Sequence, residues 1–408
     1  MLALHLRSRC NVLAVELFAP RSGEGWRDPF PMYRALRDHD PVHRVERGGY
    51  WVLSRFADVF TAARDTVTFS SAGGLTFERD ERRRAGLDEI QPMVMLDPPE
   101  HTAFRRLVAR GFTPREVAPI EPDVRRFVVD RLDGIRSAGG GDIVAELLKP
   151  LPSYVVGRYL GVPDGDRARF DGWTQGIVAA NALGDPLLAA ETVGELFAYF
   201  MELIEHRRRE PGDDAISELV RASDAAEVSA LRILGFAFTM VTGGNDTTTG
   251  LLGGALELLT ARPDQRDRLL ADPAAVGRSV DELLRLTSPV QGLARTATRH
   301  VTIGDRTIPA GDKVLLLYAA ANRDPREFGP DAEQLDVTRP IARILTFGSG
   351  SHHCLGAAAA RLMGRVALEE ILARCPGFTV DAAAGRFAPG NFVRWYESLP
   401  FDPGPAGR

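Results

Sequence analysis

The sequence has little cysteine, almost no lysine and no long hydrophobic run, and each shortage excludes something. Three cysteines in 408 residues, Cys10, Cys354 and Cys375, are too few and too scattered for a disulfide framework, so free thiols in a reducing compartment are expected. Only Lys149 and Lys313 are lysines among 50 basic residues. So lopsided an arginine preference, beside so much alanine and glycine, reflects a GC-rich coding sequence rather than a function. Residues 1–20 are interrupted by His5, Arg7, Arg9, Asn11 and Glu16. They hold neither the continuous apolar stretch of a signal peptide nor the roughly 20 apolar residues of a membrane span. A cytoplasmic chain without membrane association is expected, with residues 1–15 as a loose tail and 16–408 as a single domain. The charge balance, 50 basic against 55 acidic residues, lacks the basic excess of a nucleic-acid binder. Internal repeats and interdomain linkers are also missing.

What remains is an ordinary globular composition, 44% hydrophobic and 26% charged, in a chain long enough to bury about three quarters of its unfolded surface. Helical punctuation dominates, so the fold class is mainly α with minor β. Asp28-Pro29 reads as an N-cap followed by proline at the first helical position, opening a helix to about Arg37. Val42 to Val45 and Tyr50 to Leu53 read as a hairpin turning at Gly48-Gly49. The charged stretch Thr76 to Asp88 reads as a solvated loop. Helix follows helix from Pro98 to about Glu210. Glu227 to Ala261 is the longest helical pattern and is apolar around most of its circumference, as expected of a helix that crosses a core. Helices at Pro263–Ala271 and Pro273–Leu286 follow. Short strands are expected at Arg295–Ile303, Thr307–Ile308 and Lys313–Leu316, then a last helix from about Leu355 to Arg374.

Three constellations carry chemistry. The first is Phe347-Gly-Ser-Gly-Ser-His-His-Cys-Leu-Gly356, directly before an alanine-rich helix. A cysteine beside a helix N-terminus meets unpaired N–H groups and the positive end of the macrodipole, which favour a thiolate. The glycines permit tight turns and close approach of a flat partner. Zinc on His352, His353 and Cys354 is compositionally open, but no second ligand pair is visible. The second is Glu282-Leu-Leu-Arg285, whose acid and base share one helical face. The third is Gly243-Gly244-Asn245-Asp246-Thr247-Thr248, in the middle of the apolar helix. Two glycines there suggest a kink or a close approach, and a carboxylate in such surroundings must be partnered or used. Asp246 could pair with an arginine while Thr247 and Thr248 bond back to preceding carbonyls, or the group could handle protons.

The cysteine segment resembles the signature loop of the cytochrome P450 haem-thiolate monooxygenases, of the soluble actinobacterial type: Phe347, Gly348, Gly350, His352, Cys354, Gly356, Ala360 and Arg361 match it. Ala359 departs from the leucine common there. The resemblance extends over nearly the whole chain and implies a single triangular α+β domain, with haem b between the long central helix and the helix after the cysteine loop. It implies that Cys354 is the iron ligand and that Phe347, Gly348 and Gly356 shape the cofactor loop. His101, Arg105, Arg295 and His352 would grip the haem propionates. Glu282 and Arg285 would be a structural pair completed by a later arginine. Gln334 stands in that arginine's usual place, which leaves Arg339 or Arg343. Asp246 would relay protons and Thr247 would act as general acid toward reduced dioxygen, so that one oxygen leaves as water. The implied reaction is RH + O₂ + 2 e⁻ + 2 H⁺ → ROH + H₂O, on a hydrophobic small molecule of secondary metabolism. The implied substrate wall comprises Thr239, Thr242, Gly243, Gln291, Leu293, Phe392 and Val393, with the segments 68–95 and 171–200. Electrons would come from a ferredoxin and its reductase, docking on a monomer at Arg106, Arg110, Arg361 and Arg365. Oxidative coupling or peroxygenase chemistry on the same scaffold is the alternative.

Overall fold

The computed structural model describes residues 17–78, 90, 92–183, 190–224 and 228–405; the expected N-terminal tail and most of the charged loop at 76–88 lie outside these. The chain is mainly helical with small sheets. The main sheet runs in the order Val42–Val45, Tyr50–Leu53, Lys313–Leu316, Leu293–Ala297, Phe69–Ser70. Its first pair is the expected hairpin, in antiparallel register from Val42 opposite Leu53 to Val45 opposite Tyr50, with Gly49 at φ +66° in the turn. All four residues of Tyr50–Leu53 are buried, consistent with a strand covered on both faces.

Two expected boundaries move. Helix Phe30–His39 starts one residue late, with Pro29 as its N-cap and no side-chain cap. The stretch expected as one strand from Arg295 to Ile303 divides. Leu293–Ala297 stays in the main sheet, while Val301–Ile303 pairs antiparallel with Arg306–Ile308. The break comes where Thr298 N–H donates to the Thr68 carbonyl (2.9 Å) and Arg299 donates to Thr68 Oγ1 (2.7 Å), which turns the chain out of the sheet.

The central helix, Ala230–Ala261, spans 32 residues, or about 48 Å at 1.5 Å per residue. Ser229, in extended conformation, caps it by accepting from the Arg232 N–H. The helix joins two hydrophobic clusters. Its first half, with Ile233, Leu234, Phe236, Ala237 and Val241, packs with helices Arg167–Leu183, Ala190–Arg209 and Ala215–Asp224. Its second half, with Leu251, Leu252, Ala255, Leu256 and Leu259, packs with helices Glu121–Ala138, Ala275–Thr287 and Ala357–Arg374. The polar run from Thr242 to Thr248 falls on the seam between them. No kink is needed for the paired glycines, since one helix spans both. A Cβ on Gly244 would lie 2.7 Å from Val156 Cγ2, so this glycine admits the helix Pro150–Tyr159. A Cβ on Gly243 would meet nothing within 4 Å, and Gly243 is exposed although its helix crosses the core. The helix therefore borders open space there. Among the described residues, no helix is long and apolar enough to cross a membrane.

Candidate functional site

The cysteine loop crosses the same seam. Phe347 and Ala357 belong to the cluster around the second half of the central helix, while Leu355 packs on the other. Tight backbone sets the loop: Gly348 and Gly350 have φ of +66° and +73°, and a Cβ on Gly350 would sit 3.0 Å from Arg64 Cα. The Cys354 N–H donates to the Phe347 carbonyl at 2.8 Å, and the Gly356 N–H is directed at the thiol. The Arg361 guanidinium lies over the Phe347 ring, 4.6 Å from its centre.

Cys354 is reached by solvent along the cleft yet crowded by protein on its flanks. This burial pushes its thiol up, against the Gly356 N–H and the charges of Arg105 and Arg361. The helix N-terminus thus does less than expected. The helix begins at Ala357 with Gly356 as its N-cap, so one N–H rather than a full turn faces the sulfur. A bound cation would strip the proton outright.

Four cationic or potentially cationic side chains gather near this thiol. His101 is buried and its Nδ1 has no partner; its ring stands 4.1 Å, centre to centre, from that of His352. Arg105 is half-buried with Cys354 as the group bearing on its charge. Arg295 is buried and, among the described residues, donates only to the Ala294 carbonyl, at 2.8 Å. His352 shares a hydrogen bond with Ser71 Oγ (3.2 Å) and is pushed down to about 3 by burial, by Arg295, by His101 and by Arg105. Neither arginine has an ion-pair partner among the described residues. The acid that bears on the cluster is Asp97, whose oxygens are taken by the Ser71 N–H (2.8 Å) and the Ser70 hydroxyl. Two arginines without ion pairs, one buried and one half-buried, beside two neutral imidazoles that can donate, call for an anion. A haem, with a soft thiolate site for its iron and two carboxylates on one edge, fits this donor set. A zinc reading does not: His352 turns to His101 and His353 to Phe347, and among the described residues no group of three or more His, Cys, Asp or Glu could hold an ion.

On the central helix, the alternatives left by the sequence resolve unevenly. Thr247 Oγ1 does bond back, to the Gly243 carbonyl at 2.9 Å, as do Thr239 to Gly235 (2.7 Å) and Thr242 to Phe238 (2.9 Å). Asp246 finds no arginine among the described residues. Burial pushes its carboxyl up to about 7, with Lys149 as the opposing charge. Gly243, four residues before Thr247, keeps that side of the helix open.

The structural pair is completed by Arg339. Glu282 and Arg285 are fully buried and bidentate, at 2.7 and 2.8 Å. Arg285 also donates to the carbonyls of Asn322 (2.7 Å) and Ala332 (2.6 Å). Arg339 reaches Glu282 Oε1 at 3.3 Å, whereas Arg343 pairs with Glu327 at the surface and Gln334 is exposed. Sequence reasoning missed Asn322. Fully buried, it donates to Ser288 Oγ (2.7 Å) and Thr346 Oγ1 (2.9 Å) and accepts from the Leu345 N–H (2.8 Å). It ties the end of the Glu282 helix to the entry of the cysteine loop. Its signal was an asparagine directly after the apolar run Val314–Ala321, with nothing local to use it.

At three positions of the expected substrate wall the side chain has packing or hydrogen bonds of its own. Gln291 is buried and spent as a strut: its carbonyl oxygen accepts from Tyr33 OH (2.9 Å) and its amide donates to the Ser288 carbonyl (2.6 Å). Leu293 packs with the main-sheet cluster, and Val393 packs with Ala388 and Trp395. Phe392 instead meets the ring of Phe77 at 5.7 Å, and Phe197 meets Phe238 of the central helix at 6.1 Å. Residues 184–189 of the second segment lie outside the described residues.

A mostly helical scaffold presenting one cysteine and a cluster of unpaired cations, beside an acid and an alcohol on a core-crossing helix, defines a haem-thiolate protein. Comparison with known proteins agrees. A model described as Cytochrome P450 matches residues 188–381. The chain is 60% identical over 393 residues to Cytochrome P450 130 of Mycobacterium tuberculosis, covering 94% of this chain and 97% of that one. It is 35% identical to the Vitamin D(3) 25-hydroxylase of Pseudonocardia autotrophica, covering 94% and 96%. The solved structure of CalO2 superposes with a TM-score of 0.88 at 30% identity, covering 96% of this chain and all of that one. The chain belongs to the cytochrome P450 family; it is a haem b monooxygenase.

Proposed function

We propose that this protein hydroxylates a medium-sized or large hydrophobic molecule of secondary metabolism, with Cys354 as the iron ligand and electrons delivered by a ferredoxin. The observation that carries the reading is the cluster of His101, Arg105, Arg295 and His352 beside Cys354, whose arginines have no ion pair among the described residues. When bound, haem supplies oxygen activation. The chain's own residues do the rest. The cations hold the propionates and fix the plane of the cofactor, and Asn322 with the Glu282–Arg285–Arg339 network holds the loop that carries the thiol. Phe77, Phe392, Phe197 and Phe238 offer apolar surface to a substrate. The relative named for vitamin D(3) supports a bulky apolar substrate class. Incubating the protein with reductant, redox partners and a panel of apolar metabolites, and weighing the products, tests the reading. Hydroxylation adds one oxygen, whereas coupling removes two hydrogens.

Asp246 holds the proton that Thr247 passes on. Thr247 donates to the Gly243 carbonyl at rest, so it must rotate toward the open side to act. Because the Asp246 carboxyl sits at about 7, it is mostly protonated at pH 6 and mostly ionised at pH 8. A donor must carry its proton, so dioxygen-driven product formation is expected to fall as pH rises through 7. Asp246→Asn should lower the rate at pH 6 by about 10²–10⁴-fold and flatten that slope. A variant that keeps the wild-type rate and pH profile would remove Asp246 from the reaction.

For the redox partner, the expected patch needs revision. Arg361 is paired with Asp281 (2.7 Å), and Arg365 with Glu121 and Glu369. Arg106 and Arg110 are exposed and without ion pairs among the described residues. Reversing Arg106 and Arg110 to Glu should therefore slow ferredoxin-driven turnover at low salt about tenfold or more, with the difference shrinking at high salt. Reversal of Arg361 should act mainly through lost pairing and show little salt dependence. Equal effects in a salt series would discard this division.

A further inference from the structure

We propose that Asp97 is the positioning residue that assembles the cation cluster, tying the three separate segments that bear His101 with Arg105, Arg295, and His352 into one frame. This rests on the reading of that cluster as the propionate site. The sequence explains where the Asp97 carboxylate goes. An aspartate just ahead of a helix ordinarily accepts from backbone N–H groups two or three residues on. Here the next two residues, Pro98 and Pro99, have no N–H to give. Helix Glu100–Val108 starts with Pro99 as its N-cap and no side-chain cap. The carboxylate turns away from its own helix and takes its donors from another segment. Oδ1 accepts from the Ser71 N–H at 2.8 Å, and Oδ2 accepts from the Ser70 hydroxyl.

Those two serines lead to the other bearers. Ser70 ends the strand Phe69–Ser70, which lies antiparallel to Leu293–Ala297 with Ser70 opposite Thr296, the neighbour of Arg295. Ser71 is fully buried and shares its hydroxyl with His352 Nε2 at 3.2 Å, and the Leu96 carbonyl faces the same ring. On its own side, the Asp97 carbonyl accepts from the His101 N–H at 2.9 Å, which fixes Asp97 to the turn that carries His101, with Arg105 one turn further on. Asp97 is therefore joined, directly or through one serine, to each segment of the cluster. The choice of donors matters as well. Held by a neutral N–H and a hydroxyl, the carboxylate is kept from pairing with Arg105 or Arg295, and such a pair would compete with the cofactor for the guanidinium.

The test uses the ferric holoenzyme. Haem loss to an excess of apomyoglobin is timed, and the propionate bending bands are read by resonance Raman spectroscopy. Asp97→Ala cuts the frame, so haem loss should quicken about tenfold or more and the propionate bands should shift. Asp97→Asn keeps an acceptor for the Ser71 N–H and should recover most of both. Ser71→Ala leaves that N–H on Asp97 but releases His352, and should give a smaller band shift. Leu132→Ala, which opens a cavity in helix Glu121–Ala138, is the control: lost stability can quicken haem loss but should leave the propionate bands in place. Wild-type bands in Asp97→Ala, while Arg295→Met shifts them, would overturn the proposal for Asp97 alone. Should Asp97→Ala fail to fold, wild-type bands in Ser71→Ala would overturn it in the same way. Wild-type bands and haem loss in Arg295→Met would overturn it together with the reading it rests on.

Discussion

Cys354→Ser is expected to abolish the red-shifted absorption of the reduced, carbon-monoxide-bound protein and to lower dioxygen-driven product formation to background. Serine is a smaller side chain that can still accept the hydrogen bond from Gly356, but it lacks the polarisable sulfur that would push electron density onto a bound iron. The substitution should leave the fold intact. Cys354 faces the cleft rather than the core, and the loop is held by Asn322, by the Cys354 N–H to Phe347 bond and by the positive-φ glycines. Thermal unfolding within a few degrees of wild type, with the ordinary Soret position on carbon monoxide binding, is the outcome to look for. A variant retaining the red-shifted band would place the iron ligand elsewhere.

The second large effect lies away from the chemistry. Glu282→Gln or Arg285→Met should each cost about 3–5 kcal/mol, because each strands a charged partner in the interior. Glu282 accepts from Arg285 twice, from Arg339 and from the Asp336 N–H, and Arg285 spends its remaining donors on the Asn322 and Ala332 carbonyls. Set against a typical total of about 5–15 kcal/mol, such a loss should keep most of the protein from accumulating in the haem-bound form. Arg343→Met, at an exposed pair with Glu327, should cost under about 1 kcal/mol. Expression yield and urea midpoints of the three variants check the ranking, and a costly Arg343→Met would reverse the assignment of Arg339.

How much of this was legible in the sequence varies from residue to residue. Local signals survived: the hairpin at Gly48-Gly49, the central helix, and the cysteine loop with its following helix all depend on neighbours in sequence. The structural pair was readable as Glu282 and Arg285 because they sit three apart on one helix. Its third member was not, because Arg339 reaches Glu282 from 57 residues away and is separated by four positions from an equally plausible Arg343. The hydrogen bonds of Gln291 were hidden for a related reason. Its neighbours in sequence border the substrate side, but its own amide is committed to Tyr33, 258 residues earlier. The thiol environment failed at finer grain: the distance between a helix-adjacent cysteine and a helix-capping one is two residues, and it decides how many N–H groups face the sulfur.

The seam along which Thr242 to Thr248 and the cysteine loop meet has a consequence for how the molecule can move. The helices at 167–183, 190–209 and 215–224 pack chiefly with one another and with the first half of the central helix, while the Glu282 and Cys354 helices pack with the second half. The two cored masses are thus joined by the central helix and by helix Pro150–Tyr159, whose Val155 belongs to one core and Val156 to the other. Any relative movement of the two masses has to pass through both helices, while each core can keep its own packing as the seam between them changes.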